Sequence, residues 1–245
     1  MTEWRRVNFA IAGSSPEEWT AHLKWSARVL RHAGVEVPDT ELSAEIDHED
    51  REQQTRRPIG RRVPPDFRRH PHQQEPALYE PDLSIPFKTR KGVDLRLGRI
   101  RVFATGVSFQ LIARIPDPHP DQGVIIGAEA MNLGFRIKPG QPHRIRLIVT
   151  VDPRRGPYGF YGGTVLANSS SPCDFPEDPG APWLAGGNDR CVRVGDGELE
   201  FAATYFLSPV PTRGKLVFTI AYPEFDIDVT DLILDAAQFT QKPPG

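Results

Sequence analysis

Between about Asp47 and Pro81 the chain loses its hydrophobic periodicity, and Arg, Asp, Glu, Pro, Gln and His take over. Such a stretch cannot bury enough apolar surface to offset the entropy lost on ordering, so no core is expected to run through it. It divides the chain into a helical arm (residues 1–46), a polar Pro/Arg-rich linker (47–81) and a β-rich domain (82–240). The linker reads as a disordered tether, extended where prolines are dense. Its paired arginines, such as Arg56-Arg57 and Arg61-Arg62, alternate with acids and read as solvated, or as an anion-contacting arm.

The arm carries one well-marked helix. Ser15 can cap it, Pro16 suits the first helical position with its fixed φ, and Glu18 closes a capping box. Trp19, Leu23, Ser26 and Leu30 recur on one face, and Trp25, Val29 and Ala33 widen the stripe. Gly34 is the expected stop, since glycine tolerates the left-handed conformation that ends helices. Two tryptophans on one short helix require burial. They pack either on the protein's own β domain or on a partner or second copy.

Beyond the linker the period shifts from helical to two. Val107, Phe109, Leu111, Ala113 and Ile115 alternate with Ser108, Gln110 and Arg114, the pattern of a half-buried strand. Ile145, Leu147, Val149 and Val151 repeat it, and Leu133–Ile137, Leu199–Leu207, Lys215–Tyr222 and Phe225–Val229 add further strands. Phe225, Ile227 and Val229 should face inward, leaving Asp226 and Asp228 as an acidic edge. Short strands, frequent turns and no helices between them predict a mainly β fold, an antiparallel β-sandwich preceded by the tethered helix.

Arg154–Gly197 breaks the pattern. It reads as a long Gly/Pro-rich loop, with Thr164–Ala167 as a short strand inside it. Tyr158, Phe160, Tyr161 and Trp183 lie along it. Aromatic rings on such a segment suit a recognition surface, or else they plug one end of the sandwich.

No catalytic constellation emerges. Gly106-Val107-Ser108-Phe109-Gln110 opens like a nucleophile elbow but lacks its last glycine and begins a strand. Asp226, Asp228 and Asp231 resemble a calcium loop that lacks both the turn glycine and the bidentate glutamate. His70 and His72 have no third ligand nearby. The residues therefore imply no cofactor and no metal. Cys173 and Cys191 read as free thiols of a reducing compartment, with a disulfide as the alternative.

The net charge of -2 argues against a dedicated nucleic-acid binder. Within it, Lys88–Arg146 holds 11 basic and 4 acidic residues, whereas Pro157–Gly245 holds 5 and 12. That asymmetry fits neighbouring strands that neutralise each other, or a basic face for an anionic partner. No apolar run is long enough to span a membrane, and the Val7–Ala12 stretch is too weak for a secretory signal, so a cytoplasmic location is expected.

The segments LGRIRVFATGVSFQLIARI (Leu97–Ile115), GAPWLAGG (Gly180–Gly187) and LSPVPTRGKLVFTIAYPEFDIDV (Leu207–Val229) resemble an uncharacterised family of actinobacterial β-rich proteins of unknown function. The likeness includes the aromatic-Pro pair Tyr222-Pro223, and 24 Arg against 6 Lys accords with a GC-rich source. The resemblance implies the β fold and carries over no catalytic residue.

The functional expectation is a non-catalytic binding or assembly module with a protein partner or self-association. Trp19, Leu23, Leu30, Tyr158, Phe160, Tyr161 and Trp183 are its candidate interaction residues. The alternatives are an enzyme of unrecognised type using the 154–197 loop as a pocket wall, and an accessory protein that binds an anion through the early-strand arginines. If the linker assignment is right, limited proteolysis should cut first within residues 51–69; early cleavage inside Val107–Ile115 would overturn it.

Overall fold

The computed structural model describes residues 16–40, 42–43, 76–87, 93–116, 145–152, 154–156, 159–161, 163–167, 182–194, 197–209, 211–223 and 226–239. Among the described residues the helix α1 (Pro16–His32), followed by helical residues at 39–40 and 42–43, precedes the strands β1 (Ile85–Pro86), β2 (Asp94–Val102), β3 (Val107–Pro116) and β4 (Arg146–Val151). Three short strands follow, β5 (Arg154–Gly156), β6 (Gly159–Tyr161) and β7 (Thr164–Ala167). The last four are β8 (Trp183–Val194), β9 (Glu198–Ser208), β10 (Lys215–Tyr222) and β11 (Ile227–Asp235), and a 3-10 turn spans Ala236–Phe239.

These strands form a five-stranded sheet ordered β1-β2-β3-β9-β8 and a four-stranded sheet ordered β11-β10-β4-β7, with β5-β6 as a separate ribbon. Every pairing is antiparallel. The two larger sheets share one core, which draws Leu97, Phe109, Leu111 and Tyr205 from the first and Leu147, Val149, Phe218 and Ile220 from the second. The alternation seen in the sequence has its origin here, because the period of two turns one set of side chains into the core. Phe109 ties the layers together. It stacks on Tyr205 of its own sheet at 5.5 Å and meets Phe218 of the opposite sheet edge-on at 5.3 Å.

α1 adds a third layer. Leu23, Trp25, Ala27, Val29 and Leu30 are buried with Ile148 of β4, Ala221 of β10 and Val229 of β11, on the face of the four-stranded sheet away from the sandwich core. Gly34, at φ 91°, ends the helix where the sequence placed the stop. The Gly34 N–H donates to Arg31 O (3.1 Å) and the Val35 N–H to Leu30 O (3.0 Å), so those two terminal carbonyls are satisfied. Two polar clusters fix the docking. Arg146, buried on β4, donates to Ser26 Oγ at 2.9 Å, lies 3.4 Å from His22 Nε2 and sits over the Trp25 ring. His32 Nε2 lies 2.8 Å from Asp231 Oδ2, whose other oxygen accepts a 2.7 Å bond from Thr219 Oγ1.

Several expectations change. Leu23 and Leu30, assigned to a partner surface, are at most 1% exposed and covered by the chain's own sheet. The stripe does need burial, and the outer face of β4 and β10 supplies it. Val229 faces α1 rather than the sandwich core, because the pairing slips between Ile220 and Tyr222 and exchanges the faces beyond that point. The sandwich also takes in the end of the assigned linker, where Leu78 N–H donates to Val102 O (2.7 Å) and Val102 N–H to Tyr79 O (3.0 Å). Burial raises the Tyr79 phenol above its ordinary value, and its hydroxyl donates to Phe239 O. The rest of the linker, residues 47–75, lies outside the described residues, as does the expected strand Leu133–Ile137.

The supposed 154–197 loop contains β8, a 12-residue edge strand paired with β9 from Trp183↔Ser208 to Val194↔Glu198. Its sequence, WLAGGNDRCVRV, has no alternation and a Gly-Gly pair. The neighbouring strand imposes the conformation, as tertiary context often does for edge strands. Thr164–Ala167 is a strand as expected, paired with β4.

Phe109→Ala should lower stability by about 3–5 kcal/mol in urea unfolding, because it empties the junction between the sheets. Leu23→Ala should cost about 2–5 kcal/mol in the same global transition. A separate, earlier transition for the helix would contradict the three-layer packing.

Candidate functional site

The outer face of the five-stranded sheet is built from the outward positions of the same alternation. In β3 these are Gln110, Ile112 and Arg114; in β9 they are Glu200, Ala202 and Thr204. The register sets Gln110 opposite Thr204, Ile112 opposite Ala202 and Arg114 opposite Glu200. Glu200, only 3% exposed, is the focus. Arg114 donates Nε and Nη2 to its Oε2 at 3.0 and 2.8 Å, and Arg99 Nη2 donates to its Oε1 at 3.1 Å. Arg99 Nη1 also reaches Gln110 Oε1 (3.0 Å), and Gln110 Nε2 reaches Thr204 Oγ1 (3.0 Å). The network thus runs unbroken from Thr204 to Arg114 across three strands. A buried carboxylate held by two guanidiniums is satisfied through charge-assisted bonds, which are the strong ones.

Arg99 reaches this position through a bulge. The β2–β3 register shifts between Gly98 and Arg101, and Arg99 has φ 49°, a left-handed conformation uncommon outside glycine. Bulges re-aim side chains, and this one carries Arg99 over Gln110 and Glu200. The partner edge opens at the same place. Tyr79 bridges Val102 and Ile85 pairs with Leu97, but residues 80–84 between them bow out of the ladder. The opening is a cleft of about 400 Å³. Glu80, Asp82, Leu83 and Ser84 form one wall; Arg96, Arg99, Arg114 and Glu200 form the other, above Gly98 and Ile112. Arg96 pairs with Asp94, and Arg101 pairs with Glu80 at 2.7 Å. A Cβ at Gly98 would meet Ile112 Cδ1 at 3.6 Å, Ser84 Oγ at 3.8 Å and Leu83 O at 3.9 Å, ordinary contact with the lining.

The residues singled out from the sequence do not meet here. Trp183 opens β8, half-buried, with its ring 5.8 Å from Phe206, which also meets Phe103 at 6.2 Å; this is an aromatic cluster elsewhere on the same sheet. Phe160 and Tyr161 belong to β6, opposite Arg155 and Arg154, but their side chains lie outside the described structure, as does that of Trp19. Tyr158, Cys173, His70 and His72 lie outside it altogether. Among the described residues no three metal-ligating side chains gather. Gly106 is a close approach rather than an elbow, since a Cβ there would sit 2.3 Å from the Phe206 ring, and Ser108 is buried. Asp228 faces Arg28 of α1 at 3.2 Å, so the acidic edge in part anchors the helix.

The cleft escaped the sequence reading because its members come from β2, β3 and β9 and from residues 80–84. The visible signal was the polar positions Gln110 and Arg114 within the clearest strand; their partner Glu200 depends on strand pairing. Comparison with known proteins found no matching family model, no matching curated protein and no matching solved structure.

Removing both Arg99 and Arg114 as alanines should cost about 3 kcal/mol, since a buried charge that loses its guanidinium partners is expensive. Glu200→Gln should cost only about 1 kcal/mol, because an amide oxygen still accepts from the half-exposed guanidiniums. Chemical denaturation of the two variants checks the order; equal losses would show that the network is not a paired charge cluster.

Proposed function

We propose that this protein is a non-catalytic binding module and that the cleft between residues 80–84 and strands β2, β3 and β9 is its recognition site. The observation that carries the reading is the fixed pair of guanidiniums, Arg99 and Arg114, clamped by the buried Glu200 at a cleft of about 400 Å³. Small-molecule sites combine a concave, partly apolar floor with a few rigidly placed polar groups, and the volume falls in their range. The lining pairs no nucleophile with a base: Ser84 is its one hydroxyl, and no histidine or cysteine lines it among the described residues. The reading favours the early-strand arginines over the 154–197 segment as the business end.

An assembly role remains part of the proposal, without the apolar stripe of α1 as its surface. With Leu23 and Leu30 inside the fold, Leu78 and Ile233 are the large apolar side chains left exposed among the described residues. They stand singly, which is ordinary for a protein surface. No helix is long and apolar enough to cross a membrane. The proposed compartment is the cytoplasm, on the strength of the sequence alone.

A thermal-shift screen of small polar compounds tests the cleft. A ligand present at about ten times its Kd should stabilise the protein by roughly 1.4 kcal/mol. The shift should vanish in Gly98→Leu, whose side chain starts between Ile112, Ser84 and Leu83 of the lining. Ligands that stabilise both proteins equally, or no ligand at all, would overturn the assignment.

A further inference from the structure

We infer that the cleft takes a short, net-neutral peptide, about a dipeptide in length, held by main-chain hydrogen bonds to the edge of β2. The inference rests on the binding-module reading above and adds the ligand's class, charge and length. The edge of β2 is paired at both ends of the cleft. Ile85 pairs with Leu97 on one side; on the other, Val102 makes main-chain bonds to both Leu78 and Tyr79. Strand residues turn their N–H and C=O alternately to one neighbour and the other. Counted from Leu97, the next position that turns toward residues 80–84 is Arg99; counted back from Val102, it is Ile100. The two adjoin because of the bulge, where both oppose the single residue Phe109, between Gly98↔Gln110 and Arg101↔Ser108. Among the described residues no main-chain bond joins the 80–84 segment to either of them. In that segment Pro81 has no N–H, and the Leu83 N–H bonds back to Pro81 O at 2.8 Å. A ligand with amide groups of its own completes the ladder, as peptides do when they add to a sheet edge.

The chain itself limits the ligand's length. Residues 78–79 and 85–87 already occupy the edge of β2 beyond either end of the cleft. Gly98 to Arg101 face the gap, about 13 Å of strand at roughly 3.3 Å per residue. A capped dipeptide fits that length, whereas a strand running through would collide with the paired segments at both ends. The lining limits the charge. Arg96, Arg99 and Arg114 are matched by Glu80, Asp82 and Glu200, so the cleft is neutral as it stands. A net charge on the ligand would lose hydration on entry and find no opposite charge left over. Leu83, Ile100 and Ile112 line the cleft beside Gly98 and offer contact to an apolar side chain.

The experiment is calorimetric titration of the full chain at pH 7 with N-acetyl-leucyl-valinamide. The comparisons are the same dipeptide N-methylated at its central amide, forms with aspartate or lysine in place of valine, and a capped hexapeptide of alternating valine and threonine. The dipeptide should bind saturably, and N-methylation should weaken it about tenfold, the effect of losing one main-chain hydrogen bond. Each charged form should bind several-fold more weakly, and the hexapeptide should not bind measurably. Binding should be lost in Gly98→Leu. Hydrogen exchange of the unaltered protein gives a reading independent of any variant's folding. The dipeptide should slow exchange at the Arg99 or Ile100 amide about tenfold and leave Val102, already bonded to Tyr79, little changed.

An N-methylated dipeptide that matches its parent would overturn the inference. So would a hexapeptide or a charged form that binds as tightly, or exchange at Arg99 and Ile100 that the dipeptide leaves unaltered. If other neutral compounds bind in a Gly98→Leu-sensitive manner and the dipeptide does not, the ligand class falls and the binding-module reading stands. If nothing binds in the cleft, both fall.

Discussion

The ladder between β3 and β9 determines both faces of the five-stranded sheet at once. It runs without interruption from Val107↔Leu207 to Pro116↔Glu198. On its inner side it stacks Phe109 on Tyr205 and presents them to Phe218 across the sandwich. On its outer side it sets Gln110 against Thr204 and Arg114 against Glu200. The two roles cannot be separated, because a slip of one residue would exchange every side chain between core and surface. The hydrophobic demand of the core thereby fixes the register that assembles the polar network. A buried carboxylate in the middle of a sheet is tolerable because the register also delivers its counter-ions.

How much of this the sequence revealed depends on how local the signal was. β3 was legible because the strict alternation from Val107 to Ile115 is a local property, and β10 was legible for the same reason. The stop of α1 was visible in Gly34 alone. What α1 packs against was not. Arg146 and Thr150 occupy the alternate positions of β4, where polar residues ordinarily face water, yet both are buried, Arg146 against Ser26 and His22 of the helix. Alternation reports which side faces the core and is silent about a third layer. β8 was missed for the opposite reason: its local sequence argues for a loop, and only pairing with β9 makes it a strand. The cleft lies furthest from view. It needs a bulge at Arg99, an opening in the β1–β2 edge and the pairing of β3 with β9, none of which is written in any one stretch.

The interface between α1 and the four-stranded sheet combines apolar burial with a polar centre. Leu23, Val29 and Leu30 against Ile148 and Ala221 supply the hydrophobic part. Apolar stripes alone would permit several seatings of a helix on a sheet. Arg146 removes that freedom, because its buried guanidinium meets Ser26 and His22 in only one of them. His32 with Asp231 and Arg28 with Asp228 repeat the constraint toward β11.

The docking of α1 also has a temporal side. The helix comes early in the chain, but Ser26 meets Arg146, 120 residues later, and His32 meets Asp231, 199 residues later. During synthesis at roughly 5–20 residues per second, the second partner emerges about 10–40 s after the helix does. Throughout that interval the stripe of Leu23, Trp25, Val29 and Leu30 has no sheet to cover it. The nascent chain must therefore carry an unsheltered apolar helix until β10 and β11 are made. For that interval the apolar stripe of α1 is a surface open to aggregation, and a chaperone's cover would serve it until its own sheet arrives.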